Sequence, residues 1–400
     1  MAAPLIRYIF LFLLTASAPF AIASDKSGKD VPVPESVNPG LNYLLSLAEP
    51  GHSQTFDSSM IENIIEFVRM QKNNDDLFFP GNRSNISSAY HEFDIYQDLK
   101  HILDIGFNPN IPPFILSPSS VRLAYWTEIN GTNQLFPDLA SKLTVLDRPV
   151  MVTGVEHEEI TPDLNTGAYY GYDLNRILIL LKYQGRPALI SISKQINVSD
   201  VGKKGAVLGK DGNWDYFYSG QNGLNKPGLG WVNSYMYDSY TVSVFIEHDS
   251  AGSRRVRCGV FKWLRAGWAD VNMVQNQHIY KGLQRYSETV KEVLENPSLP
   301  AADKMAEIFS VIKTFTADEL RDKVKKYITQ LSLKYRDNAS SGGKLIAETM
   351  KDGSYLSQLS QYQMQSVLAV EYIKFLLGKN TIQEVAYIIS PADMSRHRKG

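Results

Sequence analysis

Cysteine is almost absent from this chain of 400 residues, which contains one, Cys258. A single cysteine cannot form an internal disulfide, so the fold must be stabilised by its hydrophobic core. Cys258 lies among alternating apolar residues, with Val256 and Val260 on the same face of a predicted strand. We therefore expect a buried thiol with a structural role.

An excess of charge of either sign is also absent, because 41 basic and 42 acidic residues give a net charge of −1. Such a balance provides no electrostatic basis for binding nucleic acid. Peripheral contact with a membrane or with an envelope protein stays open. The apolar fraction of 44% is ordinary for a globular protein and supplies enough material for a core.

The short motifs of the common enzyme classes are missing as well. The sequence has no HExxH, no GxSxG, no Walker loop, no dinucleotide-binding GxGxxG and no paired CxxC. Two histidines lie beside carboxylates: His157 within Glu156–Glu159, and His248 between Glu247 and Asp249. If these groups met, they would form a metal site or an acid–base pair, as in a hydrolase. We predict instead that both groups are exposed strand ends. We therefore expect no catalytic residue, no metal and no cofactor, and enzymatic activity is undecided but not favoured.

A long apolar run occurs only at the N-terminus. Arg7 is followed by the apolar stretch Ile9–Leu14 and then by small residues that end in Ala21–Ala23. A charged start, a short apolar stretch and an A-x-A pattern are typical of a cleaved signal peptide. The alternative, a membrane anchor, would need about 20 apolar residues. We predict a signal peptide at residues 1–23 and a secreted or periplasmic, water-soluble protein.

The remaining chain divides into three parts. Residues 24–50 begin with a polar segment rich in Pro and Gly, which predicts a flexible lead-in linker. Residues 51–296 predict an α+β domain, and residues 297–400 predict a helical C-terminal region that packs on itself or on the sheet domain. Capping boxes at Thr316–Glu319 and Thr381–Glu384 support helices in this last part.

Strands are predicted wherever apolar residues recur with a period of two. In the longest strand, apolar residues from Tyr240 to Ile246 alternate with hydroxyl residues from Ser239 to Ser243. This alternation is typical of an antiparallel sheet with one covered face. Gln184-Gly185 predicts a tight turn between two strands. The predicted strands are Arg122–Ile129, Val150–Ile160, Arg176–Tyr183, Ala188–Ile196, Asp215–Ser219, Ser234–His248 and Arg255–Leu264.

Helical periodicity indicates two short helices before the strands and one long helix after them. The short helices are predicted at Ser58–Gln71 and Asp94–Ile105, with a loop between them at Lys72–Ser88. The long helix is predicted at Asp270–Glu295, with an apolar stripe along one side. The fold class is therefore α+β: a curved antiparallel sheet with a long packed helix, followed by an all-α C-terminal region.

This order of elements from Ser58 to Glu295 resembles the helix-grip fold of START-like lipid-transfer proteins. The segment Phe261–Leu294, a strand, a turn and an amphipathic helix, is similar to the C-terminal end of that fold. The resemblance implies that the sheet wraps around the helix and encloses an apolar cavity. It concerns the order of elements only and assigns no functional residue.

The function that we predict is a binding protein for a lipid or another hydrophobic small molecule. Aromatic residues are dense in the later strands, and Tyr and Trp combine apolar area with one polar group, which suits a binding cavity. The candidate ligand-binding residues are Tyr235, Tyr237, Tyr240, Trp263, Leu283 and Tyr286. The alternatives are an envelope assembly or adhesion protein, and a hydrolase that uses the His157 and His248 groups.

Overall fold

The computed structural model describes most of the chain between residues 30 and 379. The described residues are 30–51, 55–70, 72, 76–81, 83, 85–132, 136–164, 166–226, 230–250, 253–335, 345–346, 355–379, 389 and 394. The predicted signal peptide at residues 1–23 and the capping box at Thr381–Glu384 lie outside these ranges.

A large antiparallel sheet of eight strands forms the centre of the fold. Its strands are β3 (Ser87–Ile95), β4 (Val121–Ile129), β5 (Val150–Ile160), β7 (Gly171–Tyr183), β8 (Arg186–Gln195), β13 (Tyr235–Ser250), β14 (Ser253–Trp268) and β15 (Val271–Asn272). In space they follow the order β4-β5-β7-β8-β13-β14, and β14 also pairs with both β3 and β15. The remaining strands are β1 (Asp30–Pro32), β2 (Leu77–Phe79), β6 (Ala168–Tyr169), β9 (Lys203–Val207), β10 (Tyr216–Asn222), β11 (Leu224–Lys226) and β12 (Gly230–Val232).

Local sequence signals locate most of this sheet. Strand β5 has the predicted bounds, and the turn between β7 and β8 lies at Gln184-Gly185, where both φ angles are positive, 49° and 78°. The sequence predicts no strand at β3: its first two residues fall in the predicted loop, its last two in the predicted helix, and the residues between them in no predicted element. Residues from Ser87 to Ile95 form this strand because they pair with Val256–Leu264 of β14, a partner far away in sequence.

The helices lie before, between and after the strands. Their bounds are α1 (Asn38–Leu47), α2 (Glu62–Arg69), α3 (Leu99–Gly106), α4 (Leu139–Leu143), α5 (Asn276–Leu294), α6 (Ala302–Thr314), α7 (Ala317–Lys334), α8 (Tyr355–Gln358) and α9 (Gln361–Leu376). The long helix α5 packs on β3 and β14, as the prediction of a sheet with a packed helix requires. It begins later than predicted because Val271 and Asn272 extend the sheet as β15, and Gln275 caps the helix.

Both faces of the large sheet are covered, not one as the sequence predicted. We call one the packed face: Val242, Val244 and Phe261 on it are fully buried and share a core with α1 and α2. We call the other the cavity face; it contacts α3, α5 and the C-terminal helices through a second, larger core. Cys258 belongs to that second core and is fully buried, which confirms the expected environment of the thiol.

The C-terminal helices complete the core on the cavity face. Helix α7 begins inside the predicted capping box, in which Thr316 and Glu319 cap each other's backbone amides. The second half of helix α9, from Val367 to Leu376, is largely apolar, and the helix contacts α6, α7 and β4. Its Lys374 is fully buried and donates to Asp215 at 2.6 Å, which ties α9 to the loop before β10. None of the described helices is long and apolar enough to cross a bilayer.

The described part of the expected lead-in linker has regular structure. Residues 30–32 form β1, which pairs in parallel with β2, and residues 38–47 form α1. Leu41 and Leu44 of α1 are buried against the packed face.

Candidate ligand-binding cavity

A cavity of about 1360 Å³ lies between the cavity face of the sheet and the helices that cover it. Small-molecule sites usually measure roughly 300–1,000 Å³, so this space could hold a ligand larger than a typical drug. Exposed residues at its rim include Met273 before α5 and Tyr362 at the start of α9. The cavity therefore connects to the surface.

Most of the cavity wall is apolar, and it comes from the sheet and from the segments that cover its cavity face. The sheet forms one wall and α5 forms another. The segments around α3, α6 and α9 form the rest. The apolar wall includes Phe107, Phe114, Leu116, Leu123, Trp126, Phe136, Leu178, Phe245, Val260, Leu264, Ile279, Leu283, Tyr286, Phe309, Ile312 and Ala369. Such a wall favours a largely hydrophobic ligand.

A row of polar residues crosses the sheet wall of the cavity. Arg176 of β7 is directly opposite Ser193 of β8, Ser193 is opposite Thr241 of β13, and Thr241 is opposite Lys262 of β14. All four line the cavity. Because side chains alternate along each strand, residues paired in register share one face, and the row follows directly from the strand register. We call these four residues the polar row.

At the β7 end of the polar row, Arg176 is bound by two carboxylates of β5. Its Nε donates to Glu156 Oε2 at 2.6 Å, and its Nη2 donates to Glu158 Oε1 at 2.7 Å. Tyr172 also donates to Glu158, at 3.2 Å. Burial raises the pKa of the Glu156 carboxyl, and the Arg176 charge opposes that rise. The two carboxylates are thus engaged by protein donors.

At the β14 end, Lys262 has only hydroxyl partners among the described residues. Its Nζ donates to Ser239 Oγ at 2.7 Å and to Thr241 Oγ1 at 2.9 Å. An ammonium has three donors, so these two bonds leave one unused. Burial lowers the pKa of Lys262 to about 8, because the low-polarity wall disfavours the charged form.

The structure brings two of the six predicted ligand-binding residues to the cavity. Leu283 and Tyr286 of α5 line it, whereas Tyr235 and Tyr237 do not. Tyr240 and Trp263 lie on the packed face, where Trp263 is 2% exposed and belongs to the core of α1 and α2. The alternation along β13 was assigned correctly, but α5 covers the hydroxyl-bearing face and not the aromatic one.

The polar row is the part of the candidate site that the sequence prediction missed. Two signals for it are present in the sequence: Lys262 is the only charge in the segment from Val260 to Leu264, and Thr241 belongs to the hydroxyl face of β13. The sequence predicts a sheet with only one covered face. Only the packing of helices over it shows that these residues face an internal space.

The two histidine groups do not meet. His157 of β5 is opposite Asp173 of β7, and its Nδ1 lies 2.8 Å from Asp173 Oδ1. His248 of β13 is level with Tyr183 of β7, counted through the register of β8 between them. Tyr183 lies about ten residues along β7 from Asp173, the partner of His157. At about 3.3 Å per residue this separates them by roughly 30 Å. Among the described residues, no cluster of three His, Cys, Asp or Glu side chains is arranged to hold a metal ion.

The fold and the site define an α+β protein with an internal, largely apolar cavity whose sheet wall contains the polar row. No model of a known protein family and no curated protein sequence matches the chain. The class of the protein is therefore defined here by its architecture and its cavity.

Proposed function

We propose that this protein binds a lipid or another hydrophobic small molecule in the cavity between its large sheet and its helices. The observation that carries the proposal is the space itself: about 1360 Å³ between the sheet and the helices of its cavity face, walled mainly by apolar side chains. Protein interiors are normally packed without voids of this size. A space that the protein maintains despite the lost packing contacts suits a ligand that restores them.

The arrangement of sheet and helix supports a relationship to the START-like helix-grip proteins as part of this proposal. Helix α5 follows β14 and β15 and lies along the edge of the sheet that β3 and β14 form. A difference from the simple form of that fold is the C-terminal region, since Phe309 of α6 and Ala369 of α9 also line the cavity. We propose that the cavity of this protein is closed by these additional helices.

The proposed location is outside the cytoplasm, either secreted or periplasmic. The support for it is the sequence of residues 1–23, with its charged start, apolar stretch and A-x-A pattern. N-terminal sequencing of the exported protein tests this point, and we expect a first residue at or near Ser24.

Native mass spectrometry of the full chain, purified from its own host, tests the binding function. We expect a mass increment that disappears after extraction with organic solvent. In Ser243→Phe a large ring enters the cavity, because Ser243 lines its sheet wall, and the bound mass should fall strongly. Ser298→Phe places the same ring on an exposed residue and should retain the ligand.

Absence of any retained molecule, together with no binding of added long-chain lipids, would contradict the proposed function. Equal retention by Ser243→Phe and by the wild-type protein would place the ligand elsewhere on the molecule.

A further inference from the structure

The two ends of the polar row differ in how their charges are neutralised. Arg176 is held between Glu156 and Glu158, so that end has its counter-charges in place. Lys262 has no ion pair with a described residue; its partners are the hydroxyls of Ser239 and Thr241. The carboxylate whose charge acts on Lys262 is Glu158, and Glu158 already accepts from Arg176 and Tyr172. The Lys262 end of the row therefore has a cation without an anion bound to it.

The surroundings of Lys262 make this difference significant for binding. Apart from the hydroxyls of β13, the cavity lining near it includes apolar side chains: Val260 and Leu264 flank it on the same face of its own strand, and Leu283 and Tyr286 of α5 line the same cavity. A cation in such surroundings is costly unless an anion pairs with it. An anionic group on a ligand would accept the third N–H of Lys262, and the nearby hydroxyl of Ser243 could donate to the same group.

We propose that the ligand is a long-chain amphiphile with one anionic head group, a carboxylate or a phosphate, bound by Lys262 while its chain lies along the apolar wall. This inference rests on the proposed function and adds the chemical class of the ligand. The polar row then orients the molecule, since an anionic head would be repelled by Glu156 and Glu158 at the other end.

Titration calorimetry with three probes of one chain length tests the inference: oleate, oleyl phosphate and methyl oleate. The protein is the full chain, stripped of any copurified lipid, as wild type and as Lys262→Met, Lys262→Arg and Lys182→Met. Lys182 is an exposed lysine of β7, outside the cavity lining, so Lys182→Met is a matched control.

We expect the wild-type protein to bind oleate or oleyl phosphate at least tenfold more tightly than methyl oleate. Lys262→Met should lose this preference and still bind the ester, whereas Lys262→Arg and Lys182→Met should keep it. Which of the two anions binds better identifies the head group as a carboxylate or a phosphate.

Two results would overturn the inference and leave the proposed function intact. One is equal affinity of the wild-type protein for the anions and the ester. The other is an unchanged preference for the anions in Lys262→Met. Failure of all three probes to bind the wild-type protein, with no lipid retained from the host, would overturn the proposed function and this inference together. Binding of the ester by Lys262→Met shows that the variant is folded.

Discussion

The two faces of the large sheet differ in packing, although the same strands form both. On the packed face, Phe261 of β14 lies 4.6 Å from Tyr90 between ring centroids, and helices α1 and α2 close the layer. On the cavity face, Phe245 and Lys262 border an open space of about 1360 Å³. One face therefore has the dense packing of a protein core, and the other combines apolar walls with charged groups.

This comparison indicates where stability and binding come from. On the packed face, each buried carbon adds to the free energy of unfolding. Removing one lowers that free energy, because the void left behind cannot collapse fully. A side chain at the edge of an existing space has fewer contacts to lose. Substitutions on the packed face should thus affect stability, and those on the cavity face should affect binding more than stability.

The largest expected effect is a contrast between two phenylalanines on neighbouring strands. Phe261→Ala on the packed face should reduce the free energy of unfolding by about 4 kcal/mol, and Phe245→Ala on the cavity face by about half as much. Chemical denaturation of both variants without ligand measures the difference. Equal losses would mean that both faces are packed alike, contrary to the comparison.

The next effect concerns the charges of the cavity face. Arg176→Met leaves Glu156 and Glu158 without their cation, and the free energy of unfolding should fall by about 3 kcal/mol at pH 7. Replacing both carboxylates by Gln in the same variant should recover most of the loss. A small loss in Arg176→Met would indicate that water in the cavity solvates these carboxylates.

Lys262→Met should act in the opposite direction and stabilise the ligand-free protein by about 3 kcal/mol at pH 7. The pKa of Lys262 is lowered to about 8 in the folded state, from an ordinary value of 10.5. The unfolded chain therefore binds more protons between pH 8 and pH 10.5, and the stability contribution of Lys262 rises with pH across this window. The difference in the free energy of unfolding between Lys262→Met and the wild-type protein should be largest below pH 8 and should disappear by about pH 10.5. Denaturation from pH 7 to 10 measures this, and a constant difference would refute it.

The smallest expected effect is at Leu283 of α5, which is 8% exposed and lines the cavity. Leu283→Ala should cost between about 1 and 2 kcal/mol, below the roughly 2–5 kcal/mol of a tightly packed leucine. Leu181→Ala, on the packed face of β7, is the matched control and should fall in the higher range. Similar losses at the two leucines would argue against a cavity beside α5.

Sequence patterns predicted those elements whose signals are local. The bounds of β5, the turn at Gln184-Gly185 and the capping box of α7 depend on residues within a few positions of one another. Strand β3 was missed because its stability depends on β14, more than 160 residues later. Four of the six proposed site residues lie outside the cavity for a related reason: their location depends on which face the helices cover.

By itself, the sequence determined that apolar and hydroxyl residues alternate along β13 and therefore occupy opposite faces of the strand. The alternation separates two faces but does not show which elements cover each one, so it cannot indicate which face meets α5 and which meets α1 and α2. Only the tertiary structure decided that the helices of the cavity face lie over Thr241, Ser243 and Lys262, while Tyr240 and Trp263 lie on the packed face. The physical reason is that this choice depends on long-range packing of helices from both ends of the chain, whose contacts no local period encodes.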